Sequence, residues 1–359
     1  MVACGSQARQ GKASLNRTAR IRGSFPARVR KADRETSFET AGGIIMQREA
    51  TGPAHSGEHG MVRIVVAIDF SQPSMRALDW AEALAEGRPS SIVAVHAIEP
   101  TPLAHMAEAA DALIVRAEER VSRVCVSIAR KGIPIEPYCA VGRPWSVVND
   151  AVRQRGADLV ILGNRGLSPI KRTLLGSNAD RILRAVSAPA LVVHASDAPR
   201  GHIRVLVATD FSQDSEDTIA AFRRIFVRSS VRLDVRVLHA TVPPEVIESV
   251  DVPLVERFDW ESLEVQAQQM VHGTAAVFRA DGIDTTEHVV RGGASRAILA
   301  EGRGWRADLL VLGRRGSSGF ERFILGSTAE RVMHSAPCAV FTAQRARVPA
   351  ARATPAYIS

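Results

Sequence analysis

Two loops stand out by residue type and spacing. Gly163-Asn164-Arg165-Gly166 is followed, after nine residues, by Gly176-Ser177-Asn178, and Gly313-Arg314-Arg315-Gly316 is followed at the same interval by Gly326-Ser327-Thr328. Glycine lets a backbone turn tightly and come within hydrogen-bond distance of an anion. The second glycine group opens a helix whose first amides lack intrahelical acceptors and favour negative charge, and a Ser or Thr hydroxyl adds one more donor. The implied chemistry is phosphate binding by a loop that leaves a sheet, passes around a phosphate chain and returns to a helix N-terminus. Glycines that merely make turns and caps would explain one such loop; the same G-x-x-G-x9-G-[S/T] spacing twice favours the phosphate reading. Arg165, Arg314 and Arg315 lie between the glycines, where they either reach phosphate or point to solvent. Asp69 and Asp210 each end an apolar run and precede Phe-Ser; they are candidate ribose or Mg2+ ligands, but an Asp before a helix is also a common turn and cap residue. His96 and His239, with apolar neighbours, read as structural histidines, and Trp145, just after Gly142-Arg143-Pro144, as packing.

The elements that must position these residues occur twice. VVAIDFS at Val65–Ser71 is answered by VLVATDFS at Val205–Ser212, Val95-His96-Ala97 by Leu238-His239-Ala240, ADLVILG at Ala157–Gly163 by ADLLVLG at Ala307–Gly313, and Leu175-Gly176-Ser177 by Leu325-Gly326-Ser327. The order never changes, and the offset grows from 141 at Asp69/Asp210 to 150 at Gly163/Gly313, as insertions in loops and helix ends would produce. Within each copy, short Val/Ile/Leu runs alternate with amphipathic stretches, the pattern of a parallel sheet covered by helices. The first copy predicts strands over 63–68, 92–98, 134–141, 159–162 and 190–194; the second, over 203–209, 231–239, 285–290, 309–312 and 339–342. A helix follows Ser71, whose hydroxyl can cap it with Pro73 in the first turn. A longer one, over 104–130, carries Leu113, Ala117, Val121, Val124 and Ile128 as its core stripe. The expected organisation is a basic disordered extension over 1–60, a domain with one glycine loop over 61–196, a linker ending at Gly201, a second such domain over 202–345 and a flexible tail over 346–359. In an open α/β sheet the ligand crevice lies outside the carboxyl ends of the strands, where both glycine loops fall.

The strand-end Asp, the strand-end His and the glycine spacing together resemble the universal stress protein family, in a tandem arrangement over about residues 61–345. The resemblance implies an α/β fold of two tandem Rossmann-like domains, each a five-stranded parallel sheet of order 3-2-1-4-5 flanked by helices. For the subclass with these glycines it implies ATP binding, one nucleotide per domain, in a stress-response regulatory protein. Carried over, Asp69 and Asp210 would face the nucleoside, with Mg2+ held through the phosphates, and backbone at Ala97 and Ala240 would contact adenine. Gly163, Gly166, Gly176 and Ser177, with Gly313, Gly316, Gly326 and Ser327, would hold phosphates; Asn178 and Thr328 would follow as amide donors. Open edges of the two last strands, near Val192 and Val340, invite antiparallel pairing within one chain. The family implies the same arrangement, with a homodimer of chains following by analogy.

The alternative is a slow ATPase or nucleotide-activating enzyme on the same sheet. Against a dedicated enzyme, the sequence shows no paired carboxylates, no nucleophile with an adjacent base and no HxxH or HExxH motif; slow hydrolysis assisted by Mg2+ and loop amides needs none of these. Gly5–Ser14 imitates a P-loop but has one residue too many between its glycines, Ala13 where Ser or Thr belongs, and no preceding strand. Hydrophobic residues make up 46% and charged residues 23% of 359, which excludes a wholly disordered chain or a rod and accommodates two cores. The net charge of +8 sits mainly in the first sixty residues; elsewhere 36 basic face 33 acidic side chains, too even a balance to drive nucleic-acid binding. No apolar run approaches the roughly 18 residues of a membrane helix. Four cysteines without a CxxC pair signal neither a zinc knuckle nor a disulfide framework and fit a reducing compartment, the cytoplasm.

Overall fold

The computed structural model describes residues 61–99, 107–166, 175–194, 201–241, 260–315 and 325–343. The expected extension over 1–60, most of the linker, Gly316, the interiors of both glycine loops and the tail lie outside the described residues.

In the first copy the elements run β1 (Val62–Ala67), α1 (Gln72–Ala85), β2 (Ser90–Ile98), α2 (Ala107–Arg130), β3 (Ile135–Val141), α3 (Pro144–Arg155), β4 (Leu159–Gly163), α4 (Ser177–Ala185) and β5 (Ala190–Val193). The second repeats them as β6 (His202–Ala208), α5 (Gln213–Phe226), β7 (Arg232–Thr241), α6 (Trp260–Ala280), β8 (Asp284–Arg291), α7 (Ala294–Gly304), β9 (Leu309–Leu312), α8 (Ser327–Ser335) and β10 (Ala339–Thr342). The fold is α/β: one ten-stranded sheet of order β3-β2-β1-β4-β5-β10-β9-β6-β7-β8, so that each half has the 3-2-1-4-5 order. Pairing is parallel within each half, while β5 and β10 meet antiparallel with Val340 opposite Val192.

Alternation along each strand divides the core between the two faces of the sheet. Ile64 and Val66 of β1 point to the side covered by α1, α2, α5 and α6, where Trp80, Val121, Phe222 and Phe278 are buried. Val65 points to the other side, with Val147 of α3, Leu183 of α4, Ile298 of α7 and Met333 of α8. Trp145 packs, partly buried, on this second cluster.

Local chemistry sets the element ends. Ser71 and Ser212 cap α1 and α5 by accepting the amides of Ser74 at 3.4 Å and Ser215 at 3.3 Å, and Gly156 ends α3 in the left-handed region at φ 56°. Strand β2 begins at Ser90, two residues before its apolar run, because the Ser90 hydroxyl is satisfied by Ala85 O at 2.9 Å and the residue pairs with Val62. The stripe of α2 is rotated from the expected one: Ile114, Val121, Cys125 and Ile128 are buried, whereas Ala117 and Val124 lie at its margin. Burial raises the pKa of Cys125 to about 11 and those of Cys139 and Cys338 to about 12, so these thiols remain protonated and serve as packing. Among the described residues no helix is long and apolar enough to cross a membrane.

Candidate functional site

At the carboxyl end of β1 the chain must leave the sheet and enter α1 within a few residues. Asp69 organises that turn: its Oδ1 accepts the Ser71 amide at 3.0 Å and the Ser71 hydroxyl at 2.5 Å, while its own amide donates to Ser74 Oγ at 3.3 Å. Phe70 is forced into the left-handed region, φ 65°, and its counterpart Phe211 takes φ 59°. An aromatic residue there carries backbone strain of roughly 1–3 kcal/mol. Both halves hold it with the same second layer: His96 Nδ1 lies 2.7 Å from Ile68 O and its ring meets Phe70 at a tilt, centroids 4.9 Å apart, and His239 Nδ1 lies 2.8 Å from Thr209 O with Phe211 at 4.4 Å. The Arg120 guanidinium also lies over the Phe70 ring, 3.7 Å from its centroid. The two histidines therefore brace the turn.

The glycines gather around this turn. A Cβ built on Gly163 would stand 2.8 Å from Pro73 Cβ and 2.9 Å from the Ser74 amide nitrogen, so β4 can end against the start of α1 only as glycine. A Cβ on Gly166 would stand 2.5 Å from Asp69 Oδ2, which puts the carboxylate directly beside the loop backbone. Ser71 Oγ is 3.3 Å from Arg165 O, and the Gly176 amide donates to Asn164 O at 2.8 Å. Residues 164–166 are thus held between the N-termini of α1 and α4. Gly176 caps α4 with no side-chain hydrogen bond, leaving its opening amides, at Ser177 and Asn178, for a ligand or water. Such a cradle of glycine backbone and two helix N-termini suits a phosphate group. Ala97 sits one strand away on β2, two residues beyond Val95, whose carbonyl accepts the Ile68 amide at 2.7 Å.

In the second half Asp210 Oδ1 accepts the Ser212 amide at 3.1 Å and the hydroxyls of Ser212 and Ser215 at 2.6 Å each. Gly326 caps α8 without a side-chain bond, ahead of Ser327 and Thr328, and donates its amide to Arg314 O at 2.9 Å. Ala240 lies on β7 opposite Val290. Gly316 falls outside the described residues.

The arginines separate sharply. Arg314 does not point to solvent: it is buried, and its Nη1 donates to Leu183 O at 2.7 Å in α4 of the other half and to Val186 O at 3.2 Å, just past the end of that helix. Burial lowers its pKa to about 10; nearby Asp214 opposes the shift and Arg315 adds to it. Arg315 pairs with Asp214, its amide reaching Oδ2 at 2.7 Å and its Nη2 reaching Oδ1 at 3.4 Å. A reciprocal contact joins the Leu175 amide to His334 Nδ1 at 3.0 Å. At the end of β5, burial pushes His194 down to about 4, with contacts to Met333 and Cys338 backbone opposing and Arg165 contributing.

Sequence reasoning missed three participants: the strained Phe70 and Phe211, and Asp214. Their signals were present, in the repeated Asp-Phe-Ser and in the departure of Asp214 from Pro73 at otherwise matched positions. Among the described residues no group of three or more His, Cys, Asp or Glu could hold a metal ion.

The profile of the universal stress protein family matches residues 61–194 and 203–343. The chain is 28% identical over 288 residues to a universal stress protein of Mycolicibacterium smegmatis, covering 76% of this chain and 94% of that one. It is also 28% identical over 309 residues to a universal stress protein of Mycobacterium tuberculosis, covering 80% and 98%. Among solved structures, a universal stress protein from Archaeoglobus fulgidus aligns with a TM-score of 0.60 and 25% identity over 79% of this chain and 98% of that one. A putative universal stress protein from Pseudomonas aeruginosa shares the fold, with a TM-score of 0.55 and 16% identity over 79% and 94%.

Proposed function

Because the chain belongs to the universal stress protein family through two successive matched segments, we propose that it is a cytoplasmic regulatory protein of the stress response that binds ATP, with one candidate site in each half. The observation that carries this reading is the convergence of Asp69, Gly163, Gly166 and Gly176 at the carboxyl ends of β1 and β4, where α4 starts on a glycine with no side-chain cap. The counterparts Asp210, Gly313 and Gly326 occupy equivalent positions in the second half, with Gly316 following in sequence.

In this reading the amides around Gly166 and at Ser177 and Asn178 hold phosphate oxygens, while Gly176, whose own amide is taken by Asn164 O, lets the backbone come close. Backbone at Ala97, or at Ala240, meets the adenine edge. The Oδ1 of Asp69 is committed to the Ser71 turn, which leaves Oδ2, beside Gly166, to meet the ribose or a phosphate-bound Mg2+. The bound cation would neutralise phosphate charge. Burial of the cross-half contacts of Arg314 supports joint action of the halves, the last strands serving as the internal interface, and a homodimer of such chains extends the same reading. Pro73, Asp69 and Ser71 shape the turn rather than activate a nucleophile, which supports regulation over rapid turnover.

Calorimetric titration of the full chain with ATP in the presence of Mg2+ tests the proposal, alongside Gly166→Val, whose side chain would collide with Asp69 Oδ2. Saturable binding that Gly166→Val abolishes in the first half is the expected result. Sustained hydrolysis near the roughly 1–100 per second typical of kinases would instead establish the slow-ATPase alternative as too modest and the regulatory reading as wrong.

A further inference from the structure

The two halves differ at one position inside the candidate phosphate cradle. Pro73, in the first turn of α1, puts a ring carbon against Gly163. Its counterpart in α5 is Asp214, whose Oδ2 would stand 3.2 Å from a Cβ on Gly313 and accepts the Arg315 amide at 2.7 Å. The Asp214 side chain is only 11% exposed, and the Arg315 guanidinium approaches its other oxygen at 3.4 Å. The second half therefore already holds a carboxylate where its loop backbone and an arginine converge.

We propose that Asp214 acts as an internal anion that makes the second half the weaker nucleotide site; the inference rests on the nucleotide reading given above. A phosphate entering there must displace a carboxylate from a backbone amide, compete for the Arg315 side chain and tolerate a like charge at close range. Pro73 imposes none of these conditions, since it carries neither charge nor acceptor on its side chain. A hydrogen bond to a charged group and its loss correspond to roughly a ten- to hundredfold change in affinity, and that is the expected ratio between the two sites. Asp214 thus sets selectivity between halves whose glycine spacing is the same.

The exchange of these residues is structurally mild. Position 214 lies in the first turn of α5, where proline is tolerated as it is in α1, and the bond that Thr218 Oγ1 makes at 2.7 Å is to the Asp214 backbone carbonyl, which every substitution keeps.

Titration of the full chain with ATP and Mg2+ is the test, made on the unmodified protein, Asp214→Pro, Asp214→Ala and Pro73→Asp, with thermal melts to confirm folding. The unmodified protein should show one tight equivalent and a second at least about tenfold weaker. Both Asp214 variants should tighten the second toward the first, Pro73→Asp should weaken the tight one, and Gly166→Val should remove it. Two equal sites in the unmodified protein, or a weak site unmoved by both folded Asp214 variants, would overturn the inference while leaving nucleotide binding intact. Absence of any binding by the unmodified protein is a different result, which overturns the nucleotide reading and this inference with it.

Discussion

The first half of the sheet is lined with small residues where the second is lined with rings. In α1, Ala81 and Ala85 occupy the positions held in α5 by Phe222 and Phe226, while Trp80 stands opposite in sequence to Ala221; Leu191 of β5 corresponds to Phe341 of β10. Phe222, Phe226 and Phe341 pack ring to ring with centroids 4.5–5.7 Å apart, and Trp80 meets Phe226 edge-on at 6.4 Å. Two identical subunits about a twofold axis must bring the same side chain to both sides of it. A fused pair is free of that condition, and here large residues of one half fill space left by small residues of the other. The same divergence reaches the loops. The backbone amide of Asn164 donates to Val193 O in its own half at 2.8 Å, whereas the side chain of Arg314 at the matching position crosses to the end of α4. Duplication kept the strand order and the glycines, and relaxed what lies between them.

The comparison can be broken most severely in the aromatic seam. Phe222→Ala should lower unfolding free energy by about 3–5 kcal/mol, as a truncated buried ring does, whereas Ala81→Phe at the matched position should cost about 1–3 kcal/mol through overpacking; urea denaturation of each variant measures both. Next comes the crossing arginine. Arg314→Ala should cost about 2–4 kcal/mol, because it removes bonds to the Leu183 and Val186 carbonyls and leaves a void, and Arg314→Met, which fills the space, should recover part of the loss. Asn164→Ala, a smaller truncation at the matching position, should cost less.

The third prediction uses acid. His194 has a folded pKa near 4 against an ordinary 6.5, so between these values the unfolded chain binds the extra proton. Stability therefore rises with pH through this window and is lost as pH falls from about 6.5 to about 4, by about 1–3 kcal/mol. Melting temperatures between pH 4 and 7 should show that slope, and His194→Gln should flatten it. The smallest expected effects are in the caps: Ser71→Ala and Ser212→Ala should each cost about 1 kcal/mol. Near-equal losses in chemical denaturation would sharpen the view that the two strand-to-helix turns are the conserved element of the duplication; a large inequality would break it.

The sheet class and the place of the glycine loops at the carboxyl ends of the strands were legible from period and spacing, whereas the strand order and the nearness of Asp69 to those glycines came with the family resemblance. Phe70 was not, since its left-handed backbone is held by its neighbours Asp69 and Ser71 together with His96 from β2, and no propensity of phenylalanine points there. Arg314 was read as a loop residue with two outcomes, phosphate or solvent, and took a third. Its partners, Leu183 O in α4 and Val186 O just after it, lie more than a hundred residues earlier, so only the joined sheet could reveal them. The pairing of Asp214 with Arg315 was hidden for the same reason, although the exchange of Pro73 for Asp at a matched position marked where to look. The α2 stripe was rotated because Cys125 and Ile114 fill the core as readily as the Ala and Val expected there.

The central claim is that the cradle formed by Asp69, Gly163, Gly166 and Gly176 holds an adenine nucleotide. Native mass spectrometry of the full chain exchanged into ATP and Mg2+, followed by identification of the nucleotide released on denaturation, tests it most directly. The expected spectrum shows one adenine nucleotide per chain at low concentration, absent from Gly166→Val; a chain that stays at its bare mass throughout, folded and unliganded, would contradict the account.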